Sequence, residues 1–327
     1  MDHVLVTGGT GLIGIEVVRE LCGAGLRPRV LVRRPHRGTL LRRFDVEPVF
    51  GDLSVLDSLE RAVAGVDTVI HLGGRATFER YDRLAPTLVE GTARLAEAAA
   101  RAGVGHFVFA SSALVYDSHA TPIKHDTPTD PQNGYGRAKV EAETRLAEIS
   151  GRTGLPVASL RLPHVYGPQS ILFQQVRRGY AVFPGSMTNQ YSHLHVEDAA
   201  RSLIAAARTR WTGTAPIADG YNATWEEFFD VVTTYLPQLR LVRLPQALGY
   251  VGAAVVEPVL SGRSRTTLFS TGTVTGFNLN LPIDADRTWQ ELRISPTYPT
   301  IADGVPATLD GYVQFLWRHP AYDHRRS

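Results

Sequence analysis

Short apolar runs alternate with longer amphipathic stretches over the first half of the chain. His3–Thr7 is a short run with an apolar centre, as expected for a strand that is buried on both faces. Leu12–Gly23 repeats its apolar residues at helical spacing. Strands and helices that alternate in this way predict a parallel, doubly wound sheet with helices on both faces.

Six strands and five helices follow from this pattern. The predicted strands are His3–Thr7, Arg29–Arg33, Pro48–Phe50, Thr68–His71, His106–Ser111 and Val157–Arg161. The predicted helices are Leu12–Gly23, Val55–Ala64, Thr87–Ala102, Tyr135–Glu148 and Val196–Arg208. After Arg161 the regularity ends, and the chain from about Trp211 on is mixed and proline-rich. We therefore expect an α/β fold with a smaller C-terminal lobe.

Composition excludes several classes of protein. The net charge is only +2 over 327 residues, so no nucleic-acid-binding surface is implied. The single cysteine, Cys22, excludes an intramolecular disulfide and a thiolate metal cluster, and it fits a reducing compartment. We see no signal peptide in residues 1–14, and the longest mainly apolar run, Ala247–Leu260, is too short to span a bilayer. We expect a cytoplasmic protein without a transmembrane segment or a nucleic-acid partner.

A glycine-rich turn follows the first predicted strand and opens the first predicted helix. Its glycines have the spacing G-x-x-G-x-x-G, which lets backbone N–H groups approach a pyrophosphate at a helix N-terminus. Such triplets also occur in purely structural turns, but the strand–turn–helix context favours a dinucleotide site. The predicted cofactor contacts in this turn are Gly8, Thr10, Gly11, Leu12, Ile13 and Gly14.

The end of the second strand bears on the choice of cofactor. An NAD site usually has a carboxylate about 20 residues after the glycines, where it binds the ribose 2′-hydroxyl. Arg33 and Arg34 stand there instead, and guanidinium groups pair well with a 2′-phosphate. A solvated arginine in an arginine-rich chain is the competing interpretation. Because the carboxylate is missing, NADP(H) is favoured over NAD(H).

The next two strand ends add candidate contacts to the cofactor. Asp52 and Leu53 follow the third strand, where the carboxylate is well placed to hydrogen-bond an adenine amino group. Leu72, Gly73 and Gly74 follow the fourth strand, and small residues there let the backbone approach the cofactor.

Three side chains form the candidate catalytic centre. Tyr135 and Lys139 are four residues apart on a predicted helix and so share a face, and Ser112 ends the fifth strand. Reduction of a ketone creates an alkoxide that a phenol can protonate, and an ammonium group favours the phenolate form. Only two of the 34 basic residues are lysines, so Lys139 stands where arginine would not serve. A surface tyrosine and lysine meeting by chance is the alternative.

These motifs resemble the extended short-chain dehydrogenase/reductase superfamily, in its NAD-dependent epimerase/dehydratase-like group. The resemblance covers nearly the whole chain and implies a Rossmann-type sheet. The matching segments are Thr7–Gly14, Val89–Thr92, Phe109–Tyr116, Tyr135–Lys139, Arg161–Pro168 and His193–Ala199. The C-terminal third is similar to the 3β-hydroxysteroid dehydrogenase and dihydroflavonol-reductase-like branches, which handle apolar ring-bearing alcohols and ketones.

The resemblance implies roles for individual residues. Ser112, Tyr135 and Lys139 would be catalytic, Pro163 would lie beside the nicotinamide, and His164 would face the substrate. One position departs from the family, which usually has asparagine where this chain has Leu88; a water-linked proton path to the lysine that uses this asparagine must differ here. Residues 1–165 would form the dinucleotide-binding domain, with 194–210 returning to it, and 166–327 mainly the substrate lobe.

We expect the substrate to be a small molecule, an apolar ketone or secondary alcohol, held between the sheet edge and the lobe. The predicted lining residues are Leu114, His164, Tyr166, Phe183 and Tyr191. For Phe183 a place in the core of the lobe is nearly as well supported.

Two other functions stay open. A nucleotide-sugar epimerase or dehydratase would need cations for a diphosphate, for which Arg177–Arg178 is the nearest candidate. A non-catalytic NADP-binding protein is favoured only by Leu88. His193, His195 and Asp198 resemble a partial metal site, but the family motif favours a structural role, so we expect no metal. A homodimer is left open.

Overall fold

The computed structural model describes residues 1–74, 77–261 and 270–317. The strands are β1 (Val4–Thr7), β2 (Arg29–Val32), β3 (Glu47–Phe50), β4 (Thr68–His71), β5 (His106–Ser112), β6 (Val157–Leu162), β7 (His164–Tyr166), β8 (Tyr180–Pro184), β9 (His193–His195), β10 (Gly213–Pro216) and β11 (Arg240–Leu244). The helices are α1 (Leu12–Gly23), α2 (Pro35–Gly38), α3 (Leu56–Val63), α4 (Tyr81–Leu88), α5 (Glu90–Arg101), α6 (Gly134–Thr153), α7 (Ile171–Val176), α8 (Val196–Thr209), α9 (Trp225–Tyr235), α10 (Gln246–Ser261), α11 (Thr271–Phe277), α12 (Asp286–Leu292) and α13 (Ile301–Trp317). Short 3-10 helices span Thr39–Leu41 and Ala113–Val115.

Seven parallel strands form the main sheet, in the order β10-β6-β5-β4-β1-β2-β3. The order reverses beside β1, and at such a reversal the loops at the carboxyl ends of the strands part to form a crevice. The central strands β1, β4 and β5 are buried along their whole length. This confirms the doubly wound α/β fold, and it explains why these strands are apolar at successive positions.

Helices cover both faces of this sheet. Val4 and Val6 of β1 contribute to one core with α1 and α8, whereas Leu5 points to the opposite core with α3, α5 and α6. Side chains alternate across a strand, so one short apolar segment supplies both layers. Each fully buried aliphatic side chain of this kind contributes about 1.5–3 kcal/mol relative to exposure.

The prediction of one continuous helix is wrong in one place. The segment expected as a single helix, Thr87–Ala102, is divided at Val89 into the end of α4 and the whole of α5. Val89 has a φ of −97° and a ψ of −67°, which lie in the right-handed helical region but depart from the ideal values of an α-helix. The hydroxyl of Thr92 donates to the carbonyl oxygen of Leu88, so a side chain binds the carbonyl at the break.

The C-terminal part of the chain contributes to both the sheet and the lobe. After α8 returns to the sheet, β10 pairs with β6, so the return extends to Pro216 rather than ending near residue 210. The lobe contains two small parallel sheets, which pair β7 with β9 and β8 with β11. No helix in the described ranges has the length and apolarity needed to cross a membrane.

A short segment joins the two parts of the molecule. Asn280 accepts a hydrogen bond from the backbone N–H of His119, and Pro282 accepts one from Ile123. On its other side Leu281 donates to Gln190 and accepts from Ser192. Residues 280–283 are thus bonded both to the loop that follows β5 and to the segment that leads into β9.

Candidate active site

A cleft of about 610 Å³ opens at the carboxyl ends of the central strands. It runs from the glycine turn, past the ends of β2 and β3, to the end of β5 and the start of α6. The predicted site residues that line it are Gly8, Thr10, Gly11, Leu12, Ile13, Gly14, Arg33, Arg34, Asp52, Leu53, Leu72, Gly73, Gly74, Ser112, Leu114, Tyr135, Lys139, Pro163, His164 and Tyr191. The fold therefore gathers residues from the whole first half of the chain into one cavity.

The glycine turn is shaped for close approach of a ligand to the backbone. Gly8 has a φ of +72°, and a Cβ there would lie 2.6 Å from the carbonyl carbon of Leu72. No side chain fits, so the turn stays tight against the end of β4. Gly11 is the N-terminal flanking residue of α1 and has no capping side chain, which leaves the first N–H groups of the helix facing the cleft. These features fit the pyrophosphate of a dinucleotide.

Three arginines line the far end of the cleft. Arg33 and Arg34 follow β2, and Arg37 lies in α2. The side chain of Arg33 is 55% exposed, and its Nε lies 4.0 Å from the carboxylate of Asp52. Burial would raise the pKa of Asp52, but hydrogen bonds from Ser54 and the charge of Arg33 together hold the pKa below its usual value. This end of the cleft therefore presents more positive than negative charge.

The start of α6 fixes the candidate catalytic tyrosine. Asn133 caps the helix, because its side-chain oxygen accepts a 2.8 Å hydrogen bond from the N–H of Gly136. A Cβ at Gly136 would lie 1.9 Å from the carbonyl oxygen of Leu114, so only glycine allows the helix to pack this closely on the turn after β5. Tyr135 stands between these two residues and is thereby held beside the end of the strand that carries Ser112.

Lys139 lies one helical turn beyond Tyr135 and is 6% exposed. Its Nζ donates a 2.6 Å hydrogen bond to the carbonyl oxygen of Ala110 and lies 5.7 Å from the centre of the Tyr135 ring. Burial lowers the pKa of Lys139 to about 8, and the charge of Glu143 opposes that shift. Burial raises the pKa of Tyr135 to about 12. The phenol is therefore protonated at neutral pH, ready to donate a proton.

Ser112 stands at the junction of β5 and the turn that follows it. Its Oγ accepts a 3.2 Å hydrogen bond from the backbone N–H of Leu114, which fixes the side chain beside the cleft. Its hydroxyl proton remains available for a ligand oxygen. Ser112, Tyr135 and Lys139 thus line one region of the cleft, as the sequence predicts.

A buried ion pair lies behind the lysine. Glu143, one further turn along α6, pairs with Arg161 of β6 at 2.7 Å, and both side chains are 10% exposed. Glu143 also accepts a hydrogen bond from Ser111, and Arg161 donates one to the hydroxyl of Tyr116. This network was not predicted from the sequence. The spacing of Tyr135, Lys139 and Glu143 at four-residue intervals was the available signal.

The unusual Leu88 is buried and packs directly behind Gly74, which lines the cleft. Its side chain packs so closely on Gly74 that a Cβ at Gly74 would lie 2.3 Å from it. Nearby, His71 bridges the hydroxyls of Thr7 and Thr92, at 2.6 and 2.9 Å. Burial, reinforced by the charge of Lys139, lowers the pKa of His71 to about 3. A neutral His71 and the apolar Leu88 therefore lie behind the wall of the cleft, and Lys139 donates to the backbone carbonyl oxygen of Ala110.

The prediction that Tyr166 and Phe183 contact the substrate is wrong. Tyr166 is fully buried, and its hydroxyl lies against Gly304 of α13. Phe183 is also buried, stacked on Phe277 with ring centres 5.5 Å apart. Neither lines the cleft, because β7 carries Tyr166 into the interior and Phe277 stands between Phe183 and the cavity.

Several residues that line the cleft were not predicted from the sequence. They lie in strands, helices and one loop, at positions for which neither periodicity nor a motif predicts a contact with a ligand. They are Leu31, Arg37, Phe78, Thr87, Leu162, Val165 and Phe277. Phe277 contacts the cleft only because α11 packs back across the sheet edge, which no local sequence pattern reveals.

Two residues of the partial metal site, His195 and Asp198, accept hydrogen bonds from backbone N–H groups. His195 accepts from the N–H of Glu197, and Asp198 accepts from the N–H groups of Thr297 and Tyr298. Within the described ranges no group of three or more histidine, cysteine or acidic side chains is arranged to hold a metal ion.

Comparison with known proteins identifies the family. The model of the NAD dependent epimerase/dehydratase family matches residues 4–218. The chain belongs to this family. It is thus an extended short-chain dehydrogenase/reductase enzyme that uses a nicotinamide nucleotide, and the resemblance seen in the motifs is confirmed.

Relatives of this family member include reductases and sugar-modifying enzymes. A ceramide reductase from Caulobacter vibrioides is 30% identical, covering 94% of this chain and 92% of the relative. A 3-beta-hydroxysteroid dehydrogenase from Mycolicibacterium neoaurum is 30% identical over 70% of this chain and 68% of the relative. A dTDP-glucose 4,6-dehydratase from Streptomyces griseus is 29% identical over 95% of this chain and 94% of the relative.

Solved structures share the fold. A UDP-glucose 4-epimerase from Thermotoga maritima, solved with UDP-glucose, superposes with a TM-score of 0.78 at 21% identity, covering 96% of this chain and 99% of that one. MoeE5 in complex with UDP-glucuronic acid and NAD gives a TM-score of 0.76 at 24% identity, covering 96% and 99%. At these identities the likeness establishes the architecture alone.

Proposed function

We propose that the protein is an NADP(H)-dependent oxidoreductase that interconverts an apolar ketone and a secondary alcohol. This proposal rests on the apolar lining of the cleft beyond Tyr135. The described side chains there are aliphatic and aromatic, with His164 as the polar exception. They are Phe78, Leu114, Leu162, Val165, Tyr191 and Phe277.

Such a lining suits an apolar ligand. Burying apolar surface contributes roughly 25 cal/mol per Å², so a ring-sized substrate gains several kcal/mol without a charged anchor. A nucleotide sugar would instead need cations beside its diphosphate. Among the described residues no arginine lines this region, and Arg177 and Arg178 do not line the cleft. Arg80 and Arg137 line an adjoining cavity that shares Phe78 with the cleft.

The proposed preference for NADP(H) rests on Arg33, Arg34 and Arg37. They surround the position where the second strand ends, and a 2′-phosphate there would gain charge-assisted hydrogen bonds. Asp52 lies at the end of the next strand and is already bonded by Ser54.

The protein residues would handle the oxygen of the substrate. The bound nicotinamide supplies the hydride for reduction and accepts it in oxidation. The phenol of Tyr135 would give its proton to the carbonyl oxygen as that oxygen becomes an alkoxide, which matches its protonated state at neutral pH. The ammonium of Lys139 would stabilise the charge left on Tyr135, and Ser112 would donate to the same substrate oxygen.

Relatives support both this proposal and its main rival. Ceramide reductase and 3-beta-hydroxysteroid dehydrogenase are named for reactions of the proposed kind, and dTDP-glucose 4,6-dehydratase for the rival kind. The apolar lining favours the first.

A substrate screen tests the proposal. The purified protein is mixed with NADPH or NADH and a panel of apolar ring-bearing and long-chain ketones, and loss of the reduced-nicotinamide absorbance is followed. The same protein is tested for binding and conversion of uridine and thymidine diphosphate-sugars. We expect reduction of at least one apolar ketone with NADPH. Tight binding of a diphosphate-sugar together with no reduction of any ketone would overturn the proposal.

A further inference from the structure

Two histidines link the cleft to the protein interior. His164 of β7 and His193 of β9 are register partners in the small parallel sheet, and their Nδ1 atoms lie 2.9 Å apart. His164 lines the cleft, whereas His193 has no exposed surface. Their rings meet edge to face with centres 5.1 Å apart. A ligand in the cleft can therefore contact one ring of the pair and not the other.

The hydrogen bond couples the protonation of the two rings. Burial lowers the pKa of His164 to about 3, and burial also lowers that of His193 well below the usual value, so both rings are neutral. A neutral imidazole has one N–H and one bare nitrogen. The ring that donates through Nδ1 therefore has a bare Nε2, and the ring that accepts through Nδ1 has its proton on Nε2.

The surroundings of His193 decide between the two arrangements. Its Nε2 is fully enclosed and has no hydrogen-bond partner among the described residues. An enclosed N–H without an acceptor is rarer than an acceptor without a donor. The ring of Trp225 packs against His193 with centres 5.1 Å apart, and its Nε1–H, which can only donate, is also without a partner in the described ranges. These surroundings therefore favour the tautomer of His193 that has no proton on Nε2.

We propose that His193 donates through Nδ1 to His164, so that His164 presents a fixed Nε2–H donor to the cleft. This rests on the proposed function and narrows its substrate class. The substrate is an apolar ketone or alcohol that carries a second oxygen able to accept a hydrogen bond, such as a hydroxyl, ether or second carbonyl. His193 is a positioning residue, which selects the tautomer of His164 without contacting the substrate.

A substrate without this second oxygen excludes water from His164 and leaves its donor unpaired. Sites built to hydrogen-bond a ligand discriminate against analogues that lack the group, because the partner loses its contact with water and gains nothing. The apolar lining then supplies affinity, and His164 supplies selectivity between otherwise similar ketones.

The tautomers can be measured without any substrate. The full-length protein is labelled with ¹⁵N-histidine, and long-range ¹H–¹⁵N spectra identify the protonated nitrogen of each ring, with His164→Ala and His193→Asn spectra for assignment. We expect the proton on Nε2 of His164 and on Nδ1 of His193. The opposite pattern, with His164 protonated on Nδ1, overturns the proposal whether or not the protein reduces ketones.

Kinetics with paired ketones test the consequence for substrates. Each pair shares a carbon skeleton and differs by one distant oxygen, and KM is compared between wild type, His193→Phe and His193→Asn. The asparagine keeps a donor near the position of Nδ1, whereas phenylalanine removes it. For the oxygenated ketone we expect KM to rise about tenfold in His193→Phe, to stay near wild type in His193→Asn, and kcat to change little.

For the ketone without the distant oxygen, KM should be the same in all three proteins. If both ketones respond alike to His193→Phe, the role of His193 is structural and the proposal falls. If the wild type reduces no ketone, the proposed function fails, and the tautomer spectra still decide whether His164 presents its N–H to the cleft.

Discussion

The ammonium of Lys139 donates a 2.6 Å hydrogen bond to the carbonyl oxygen of Ala110. Ala110 lies in β5, two residues before Ser112. The lysine of α6 is therefore positioned by the main chain of the strand that carries the serine. Because the acceptor is a backbone carbonyl oxygen, a substitution at residue 110 that leaves β5 in place keeps the acceptor of this hydrogen bond.

The buried lysine predicts the pH dependence of ketone reduction. Its pKa is lowered to about 8, so the side chain is charged below that pH and neutral above it. A neutral amine no longer stabilises negative charge on Tyr135, and kcat should be level near neutrality and fall above about pH 8. Tyr135, with a pKa of about 12, stays protonated throughout. The measurement is kcat against pH at saturating NADPH; a level profile up to about pH 10 would contradict it.

Replacing the tyrosine tests its role as proton donor. Tyr135→Phe should lower turnover by about 100-fold or more, the usual contribution of a general acid. The affinity for NADPH should change little, because the ring remains. Tyr191→Phe is the matched control, since Tyr191 lines the same cleft and should lose far less activity. Near-normal turnover of Tyr135→Phe on the true substrate would remove Tyr135 from the mechanism.

Arg33→Asp tests the cofactor preference. An aspartate there would repel a 2′-phosphate, and the affinity for NADPH should fall by about 1.5–3 kcal/mol, the contribution of a charged hydrogen bond. NADH binding should be unchanged or improved. Arg42→Asp makes the same charge change at an exposed arginine that does not line the cleft. Calorimetric titration with both cofactors measures the effect, and tighter binding of NADH than NADPH by the wild type would refute the preference.

The ion pair between Glu143 and Arg161 predicts a large effect on stability. Arg161→Ala leaves the buried carboxylate of Glu143 without its partner, which costs about 3–5 kcal/mol in the free energy of unfolding. The exposed pair of Arg101 and Glu60 is the comparison, and Arg101→Ala should cost no more than about 1 kcal/mol. Denaturant unfolding measures both. Equal effects of the two substitutions would show that burial does not strengthen the inner pair.

The inner strands β1, β2, β4, β5 and β6 could be predicted from the sequence because they are buried on both faces, whereas the edge strand β10 was not predicted. Such strands are continuous apolar runs, and the helices between them keep their own period. β7 and β9 are only three residues long, so no periodicity marks them. Their pairing, which brings His164 to His193, exists only in the folded chain.

The sequence located those cleft residues that follow a strand or share a helix face in a known motif, and it did not locate those whose position depends on packing. Ser112, Gly73 and Asp52 lie at strand ends, and all strand ends of a parallel sheet meet at one edge. Tyr166 was misplaced because two residues along a strand cover about 6–7 Å, enough to pass from the cleft into the interior. Phe277 was missed because its position depends on how α11 packs.

The hydrogen bonds of residues 280–283 limit how the sheet and the lobe can move relative to each other. Because they are hydrogen-bonded to residues 119 and 123 on one side and to residues 190 and 192 on the other, the sheet and the lobe cannot swing apart as rigid bodies about a free hinge. We infer that heating melts sheet and lobe in one cooperative step, with no stage at which either survives alone.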